Sequence, residues 1–141
     1  MEAHAEENMP TVQPISFGFP WDENMPLSQV VRVGDTLYLA GQVSLDEAGK
    51  VVGVNDLEEQ SRQVFRNMQR VLAAAGAKLT DVVRLTTYFS MSLTLDATNR
   101  YWKVRREFFG NHKPASTGLQ VAGLLYPSLL LEVDAIAVIP S

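Results

Sequence analysis

The sequence predicts a single α+β domain, because β-branched segments and two long amphipathic helical patterns follow one another along 141 residues. No linker rich in proline, glycine or serine divides them. Apolar residues make up 46% of the chain and charged residues 20%, the ordinary composition of a globular domain with its own core. We expect this domain to cover residues 11–141 and to follow a polar, flexible tail over residues 1–10.

A hairpin opens the predicted sheet. Residues 28–33 and 36–42 are apolar and β-branched, and Gly34-Asp35 between them is typical of a tight turn. A weaker strand signal precedes the hairpin at residues 13–17, and a polar turn follows it at residues 46–49.

The first helix is predicted to start at Asn55 or Asp56 and to end at Gly76. Glu58 stands three residues after Asn55, as in a capping box, and glycine suits the left-handed residue that ends a helix. Its apolar residues recur at helical spacing and form one stripe of Leu57, Val64, Phe65, Met68, Val71, Leu72 and Ala75.

A strand, a second helix and two strands complete the prediction. Residues 82–89 form the strand, and alternation places Val83, Leu85 and Phe89 on one of its faces. Residues 95–109 form the helix, and Gly110 ends it. The residues predicted for its buried side are Ala97, Tyr101, Val104 and Phe108.

Residues 116–122 and 129–139 are the two closing strands, and Glu132 and Asp134 point away from the apolar side of the last one. Two helices can cover only one face of such a sheet. The other face carries Thr86, Gln120, Glu132 and Ile136. We expect copies of the same chain to bury it.

Several classes of function are disfavoured by composition. The absence of cysteine excludes disulfides, zinc-thiolate sites and thiol nucleophiles. His4 and His112 lie at opposite ends of the chain, which argues against a histidine-rich metal centre and a catalytic triad. A net charge of -4 argues against nucleic-acid binding, and the basic residues 103–106 are interpreted as a solvated helix face.

No apolar run approaches the roughly 20 residues that cross a membrane. The acidic N-terminus lacks the basic start and apolar core of a signal peptide. We therefore expect a cytoplasmic protein that is not bound to a membrane.

Five stretches, in the same order and spacing, resemble the Rid/YjgF family, often called endoribonuclease L-PSP. They are residues 31–42, 63–76, 81–88, 114–117 and 131–138. The resemblance implies a chorismate-mutase-like α+β fold with two helices on one face of the sheet. It also implies a homotrimer whose sheets form a central barrel, with small-molecule sites in the clefts between subunits. Archetypal members hydrolyse enamines and imines, such as 2-aminoacrylate, to a keto acid and ammonia without a metal or an organic cofactor.

The resemblance also identifies departures from the family pattern. In archetypal members an arginine after the Pro-Ala of the penultimate strand binds the substrate carboxylate, and Ser116 occupies that position here. A serine donates one neutral hydrogen bond and cannot neutralise an anion. Leu27 stands where the family has a cleft tyrosine, and Ala40 where it has a serine before Gly-Gln. These differences predict little activity on 2-aminoacrylate, unless Arg84 or Lys113 replaces the missing cation.

Glu132 matches the family's acidic residue on the last strand, which is thought to position the attacking water. A partly buried glutamate can act as a base near neutral pH, although Glu132 could equally be a surface or interface charge. The remaining candidates for ligand contact come from the loops and strands that the resemblance places near the cleft. They are Thr117, Gly118 (through its backbone N–H), Gln120, Asn99 and Tyr126.

Three functions are consistent with these residues. The leading hypothesis is a hydrolytic deaminase of a small enamine or imine. The alternative is a non-catalytic ligand-binding or regulatory member of the family, which the changes at Ser116, Leu27 and Ala40 favour. An endoribonuclease is disfavoured, because the chain is acidic and has no histidine pair in a plausible site.

Overall fold

The computed structural model describes residues 11–140, so the tail predicted at residues 1–10 lies outside the described residues. Six strands form one sheet, and two helices pack on one of its faces. The elements in chain order are β1 (Val12–Pro14), β2 (Val30–Val33), β3 (Thr36–Gln42), α1 (Leu57–Ala74), β4 (Val82–Phe89), α2 (Leu95–Phe109), β5 (Ala115–Gln120) and β6 (Leu131–Val138). The predicted α+β fold and its element order are confirmed.

The sheet is mixed, with the strand order β1-β2-β3-β6-β4-β5. Only β4 and β5 pair in parallel, because α2 connects them as a crossover on the helical side. The last strand, β6, lies centrally between β3 and β4. The edge strand β5 has a single neighbour, and all of its residues are exposed.

A side-chain cap fixes the start of α1, and a left-handed glycine follows its end. The side chain of Asp56 accepts a hydrogen bond from the backbone N–H of Glu59 at 3.1 Å, so Asp56 is the cap. The alternative box between Asn55 and Glu58 is not formed, because Asn55 precedes the cap in a left-handed conformation with φ 62°. Gly76 has φ 77° and ends the helix, as predicted.

The core lies between the helices and the sheet. The four inward residues predicted for β6 are all buried, namely Leu131, Val133, Ala135 and Ala137. On the helical side, Phe65 of α1 contacts Tyr101 and Phe109 of α2, with ring centroids 6.0 and 5.4 Å away. Phe109 is the buried residue at the end of α2, whereas Phe108, predicted for that place, is only half-buried.

The prediction for Val83 is wrong. A bulge between Val82 and Arg84 interrupts the pairing of β4 with β6. The extra residue changes the alternation of side chains at that point, so Val82 is buried and Val83 is exposed. After the bulge, Leu85, Thr87 and Phe89 point to the core.

The face predicted for Gln120 is also wrong. Parallel pairing places Ser116 beside Leu85, Gly118 beside Thr87 and Gln120 beside Phe89. Residues that pair across strands point to the same face of a sheet, so these three residues of β5 face the helices. The face opposite the helices instead receives Thr117 and Leu119.

The sheet face without helices is open in the single chain and carries large apolar side chains. Tyr38, Val138 and Leu119 are 49%, 42% and 38% exposed, and Ile136 is half-buried beside Tyr38. This open face also carries Glu132 and Thr86, as predicted. Over residues 11–140, no helix is long and apolar enough to span a membrane.

Candidate functional site

Glu132 projects from β6 on the open face and lies over the backbone of Gly41. A β-carbon added to Gly41 would stand 2.7 Å from Cδ and 3.0 Å from Oε2 of Glu132. Such distances are shorter than any van der Waals contact, so only glycine leaves room for this carboxylate. Gly41, the first residue of the Gly-Gln pair at the end of β3, therefore forms the place that we call the seat of the glutamate.

The surroundings of Glu132 favour its neutral form more than water does. Partial burial and the nearby charge of Asp134 both raise the pKa of Glu132, and burial has the larger effect. Within residues 11–140, no side chain donates a hydrogen bond or a salt bridge to its carboxylate. Glu132 is thus a half-buried acid that can exchange a proton closer to neutral pH than an ordinary glutamate.

Tyr88 faces Glu132 directly across the pair of β4 and β6. Its hydroxyl donates a hydrogen bond of 2.9 Å to Oδ2 of Asp134. That hydrogen bond is the main cause of the raised pKa of Tyr88, so the phenol stays protonated at neutral pH. Tyr88 and Asp134 together form a fixed polar wall beside the glutamate.

A buried chain of polar side chains holds the end of β3 in place. The Gln42 side-chain amide donates to Gln29 at 2.8 Å, and the Gln29 amide donates to Asp22 at 2.6 Å. Asp22 also accepts a hydrogen bond from the backbone N–H of Phe19. Because every member has a partner, this chain fixes the backbone on which Gly41 sits.

Gln60 of α1 holds the loop that leads into β6. Its side-chain nitrogen donates to the carbonyls of Gly53 and Ser128 at 3.1 and 2.8 Å. Its oxygen accepts the backbone N–H of Leu130 at 2.8 Å. Gln60 is fully buried, and through these three bonds it fixes the start of the strand that carries Glu132.

A second polar region lies between α2 and the edge strand β5. A cavity of about 540 Å³ runs along the C-terminal half of α2 and the loop after it. A smaller cavity of about 200 Å³ lies towards the start of α2. Trp102, Arg105 and Ser116 line both cavities, so the two meet at these residues. We call the two cavities together the α2–β5 groove.

The predicted residues of β5 divide between the two faces. Ser116 and Gly118 line the groove, and Thr117 also reaches its smaller cavity. Gln120 has a local role, because its side-chain oxygen accepts the backbone N–H of Leu93 at 3.0 Å and so fixes the loop before α2. Asn99 is exposed on α2 and does not line either cavity.

Three further candidates, Ala40, Leu27 and Tyr126, lie outside the groove. Ala40 is adjacent to Gly41 and donates its backbone N–H to the carbonyl of Gln29 at 2.9 Å. Leu27 is exposed in the loop before β2, and Tyr126 is exposed in the loop before β6. In the single chain these two exposed side chains form no shared pocket with Ser116 among the described cavities.

The two cations considered as replacements for the missing arginine differ in position. Arg84 donates a hydrogen bond of 2.7 Å to the hydroxyl of Thr117, on the open face. Ser116 faces the other way, so Arg84 does not reach it. Lys113 lines the larger cavity together with Ser116.

Two residues of the groove escaped the sequence-based prediction. Residues 103–106 were interpreted as a solvated face, and for Lys103 and Arg106 the exposure agrees. Arg105, however, is half-buried and lines both cavities together with Trp102. Their three-residue spacing places them on one helix face, and this spacing is the signal that could have found them.

The mixed sheet with two helices on one face and a seated glutamate on the other defines an α+β domain of the YjgF type. The profile of the family described as endoribonuclease L-PSP matches residues 22–139. The chain therefore belongs to that family.

Relatives of known name support the same assignment. A RutC family protein of Pyrococcus abyssi is 37% identical over 113 residues, which cover 79% of this chain and 85% of the relative. Proteins named 2-iminobutanoate/2-iminopropanoate deaminase are 33% identical in Dermatophagoides farinae and 31% identical in Homo sapiens. The aligned segments cover 81% and 80% of this chain, and 86% and 80% of those two relatives.

Solved structures share the fold. A conserved Rid family protein from Yersinia pestis superposes with a TM-score of 0.81 at 25% identity, covering 92% of this chain and all of the other. RidA from an Antarctic Psychrobacter bacterium gives a TM-score of 0.73 at 27% identity, covering 90% of this chain and 94% of that one.

Proposed function

We propose that this protein is a Rid-like hydrolytic deaminase of a small imine or its enamine tautomer. Water adds to the imine carbon, the carbon–nitrogen bond breaks, and one imine and one water become one carbonyl compound and one ammonia. The names of the relatives from Dermatophagoides farinae and Homo sapiens support this class of reaction. The single observation that carries the proposal is the half-buried Glu132 over Gly41, whose carboxylate has no hydrogen-bond or salt-bridge partner within residues 11–140.

Glu132 supplies the proton transfers of this reaction. Its ionised carboxylate accepts a proton from the water that attacks the imine carbon, and the resulting acid returns a proton to the departing nitrogen. The raised pKa makes the ionised carboxylate a stronger base for the first step than an ordinary glutamate. Tyr88 and Asp134, joined by a hydrogen bond, lie on the same face beside the glutamate.

We further propose that the working site lies between subunits of a homotrimer. In one chain the acid lies on the open face and the groove lies on the helical side, so a single protomer does not bring them together. Exposed Tyr38, Leu119 and Val138 supply an apolar surface for association. A neighbouring copy on this face could place its groove beside the glutamate.

The test is the hydrolysis of 2-imino acids generated in situ, with side chains from small to aromatic, measured as the rate of ammonia release. We expect little acceleration with 2-aminoacrylate, because Ser116 stands where archetypal members have arginine, and acceleration with a larger imine. Glu132→Gln should remove that acceleration without changing the far-UV circular dichroism. Glu47→Gln is the matched control, because Glu47 is an exposed glutamate paired with Arg70. Full activity in Glu132→Gln would exclude this residue as the base.

One observation favours a second function. Ser116 stands where archetypal members use arginine, which fits a member that binds a metabolite in the cleft without converting it. Tight binding with no ammonia release across several imines would support this alternative. RNA cleavage gains no support from the site, since Glu132 and Asp134 would repel a phosphodiester backbone on the open face.

A further inference from the structure

The α2–β5 groove is locally basic in an acidic protein. The chain has 16 acidic and 12 basic residues, yet no aspartate or glutamate lines either cavity of the groove. Arg105, Arg106 and Lys113 all line the larger cavity. The groove therefore attracts negative charge, although the net charge of the chain repels it.

The cations of the groove have no acidic partner in the described part of the chain. Arg62, Arg66, Arg70, Arg100 and Lys103 each form a salt bridge within residues 11–140. No such pair is present there for the three cations of the groove. Three neighbouring cations without an acidic partner among the described residues can bind an external anion through charge-assisted hydrogen bonds.

Arg105 is the best placed of the three cations. It is half-buried, it lines both cavities, and its guanidinium carbon lies 6.0 Å from the ring centre of Phe109. The helix beneath it is fixed to the sheet, because the buried hydroxyls of Tyr101 and Thr87 lie 2.6 Å apart. Partial burial strengthens the attraction between a guanidinium and an anion, since less water screens the charge.

The walls of the groove indicate what else the anion carries. The exposed Trp102 and the half-buried Pro114 supply apolar surface next to the cations. A volume of about 540 Å³ exceeds what a two- or three-carbon acid would fill. An organic acid with an aromatic or branched apolar group matches both the charge and the surfaces.

We propose that the α2–β5 groove binds the carboxylate of such an acid, held by the Arg105 guanidinium and the Ser116 hydroxyl. The cation that β5 lacks at Ser116 is thus supplied from the facing helix. This assignment rests on the proposed deaminase function only for the nature of the ligand, an imino acid or the 2-oxo acid formed from it. Binding itself needs no turnover.

The experiment is calorimetric titration of the full chain with 3-phenyl-2-oxopropanoate. We expect Arg105→Gln to weaken binding by about 10- to 100-fold, the loss typical of a charge-assisted contact. Arg100→Gln is the matched control, because Arg100 lies on the same helix, bonds Asp96 at 3.1 Å and lines neither cavity. Its affinity should equal that of the wild type. The neutral methyl ester of the ligand should bind no better to wild type than the acid binds to Arg105→Gln.

Unchanged affinity in Arg105→Gln, or an equal loss in Arg100→Gln, would overturn the proposal. Circular dichroism reports whether Arg105→Gln folds. If it does not, Arg105→Met carries the test, because methionine keeps an unbranched apolar stem over the helix but removes the charge. A drop of about tenfold then supports the site, and wild-type affinity overturns it. Since no ammonia is measured, this outcome is independent of the Glu132→Gln result.

Discussion

Because Gly41 has no side chain, the side chain of Glu132 can lie directly over its backbone. The carboxylate occupies the volume that a β-carbon would need. Because the conflict involves the last atoms of a flexible side chain, substitution at Gly41 should move the carboxylate rather than unfold the protein. Function and stability can therefore be separated at this residue.

We predict that Gly41→Ala lowers ammonia release at least tenfold while the melting temperature changes little. A β-carbon 2.7 Å from Cδ of Glu132 forces the carboxylate to another rotamer. Gly123→Ala is the control, because a β-carbon there would meet nothing within 4 Å. Steady-state rates and thermal melts of both variants provide the comparison, and normal turnover in Gly41→Ala would show that the carboxylate need not stay in its seat.

After burial, Asp134 is the second cause of the raised pKa of Glu132. Its charge adds to the effect of burial in raising the pKa of Glu132. If the base must be ionised, kcat/KM rises as pH increases through that pKa. We therefore predict that Asp134→Asn moves the acidic limb of the profile to lower pH, because the ionised glutamate loses a repelling neighbour.

Tyr88→Phe is the control for this shift. It removes the hydroxyl that donates to Asp134 but leaves the charge of Asp134 in place. We expect no movement of the limb to lower pH in this variant. An acidic limb at the same pH in wild type and Asp134→Asn would mean that another group controls the rate.

Helix α1 covers the sheet and also holds two loops in place through the side chain of Gln60. Gln60 connects it to the loops at Gly53 and Ser128, and so to the start of β6. We predict that Gln60→Leu lowers the free energy of unfolding by about 2–4 kcal/mol, since three backbone groups lose their partner. Gln69→Leu, at an exposed position of the same helix, should change it much less. Urea denaturation of both variants measures the difference, and equal stabilities would contradict this role.

The elements were largely predictable because their signals are local. Hydrophobic spacing and caps reproduce both helices, with α2 at its predicted bounds, and alternation places Glu132 correctly on β6. The faces of β4 and β5 were not predictable in the same way. A bulge at Val83 and the parallel register that turns Gln120 towards the helices both depend on neighbouring strands, which leave no mark on the alternation itself.

Parts of the candidate site that depend on local sequence were also predictable, whereas parts that depend on packing were not. Glu132 and its Gly-Gln seat could be found from motifs, whereas the groove arises only when α2 packs beside β5. Arg105 was interpreted as a solvated charge because its own segment is basic. Helical spacing places it over Phe109, four residues further along α2, whereas its position beside Ser116 of the edge strand depends on tertiary packing.

At the scale of the whole molecule, the open face of the sheet predicts association. We expect native mass spectrometry to give about 47 kDa, three times the chain mass of 15.6 kDa. Tyr38→Asp, in the middle of the apolar surface, should give single chains and lose ammonia release. Leu95→Asp, an equally drastic change at an exposed residue of α2, should leave the assembly intact. A monomeric wild type would refute the shared site.

The edge strand β5 has a broader consequence for how this protein can diverge. Ser116 and Gly118 face the helices and line the groove, whereas Thr117 and Leu119 face the open side of the sheet, although Thr117 also reaches the smaller cavity. Under the two proposals above, ligand binding and the association of copies depend on neighbouring residues of the same strand. Substitutions at Ser116 or Gly118 could then change which ligand binds without changing the face on which copies would associate.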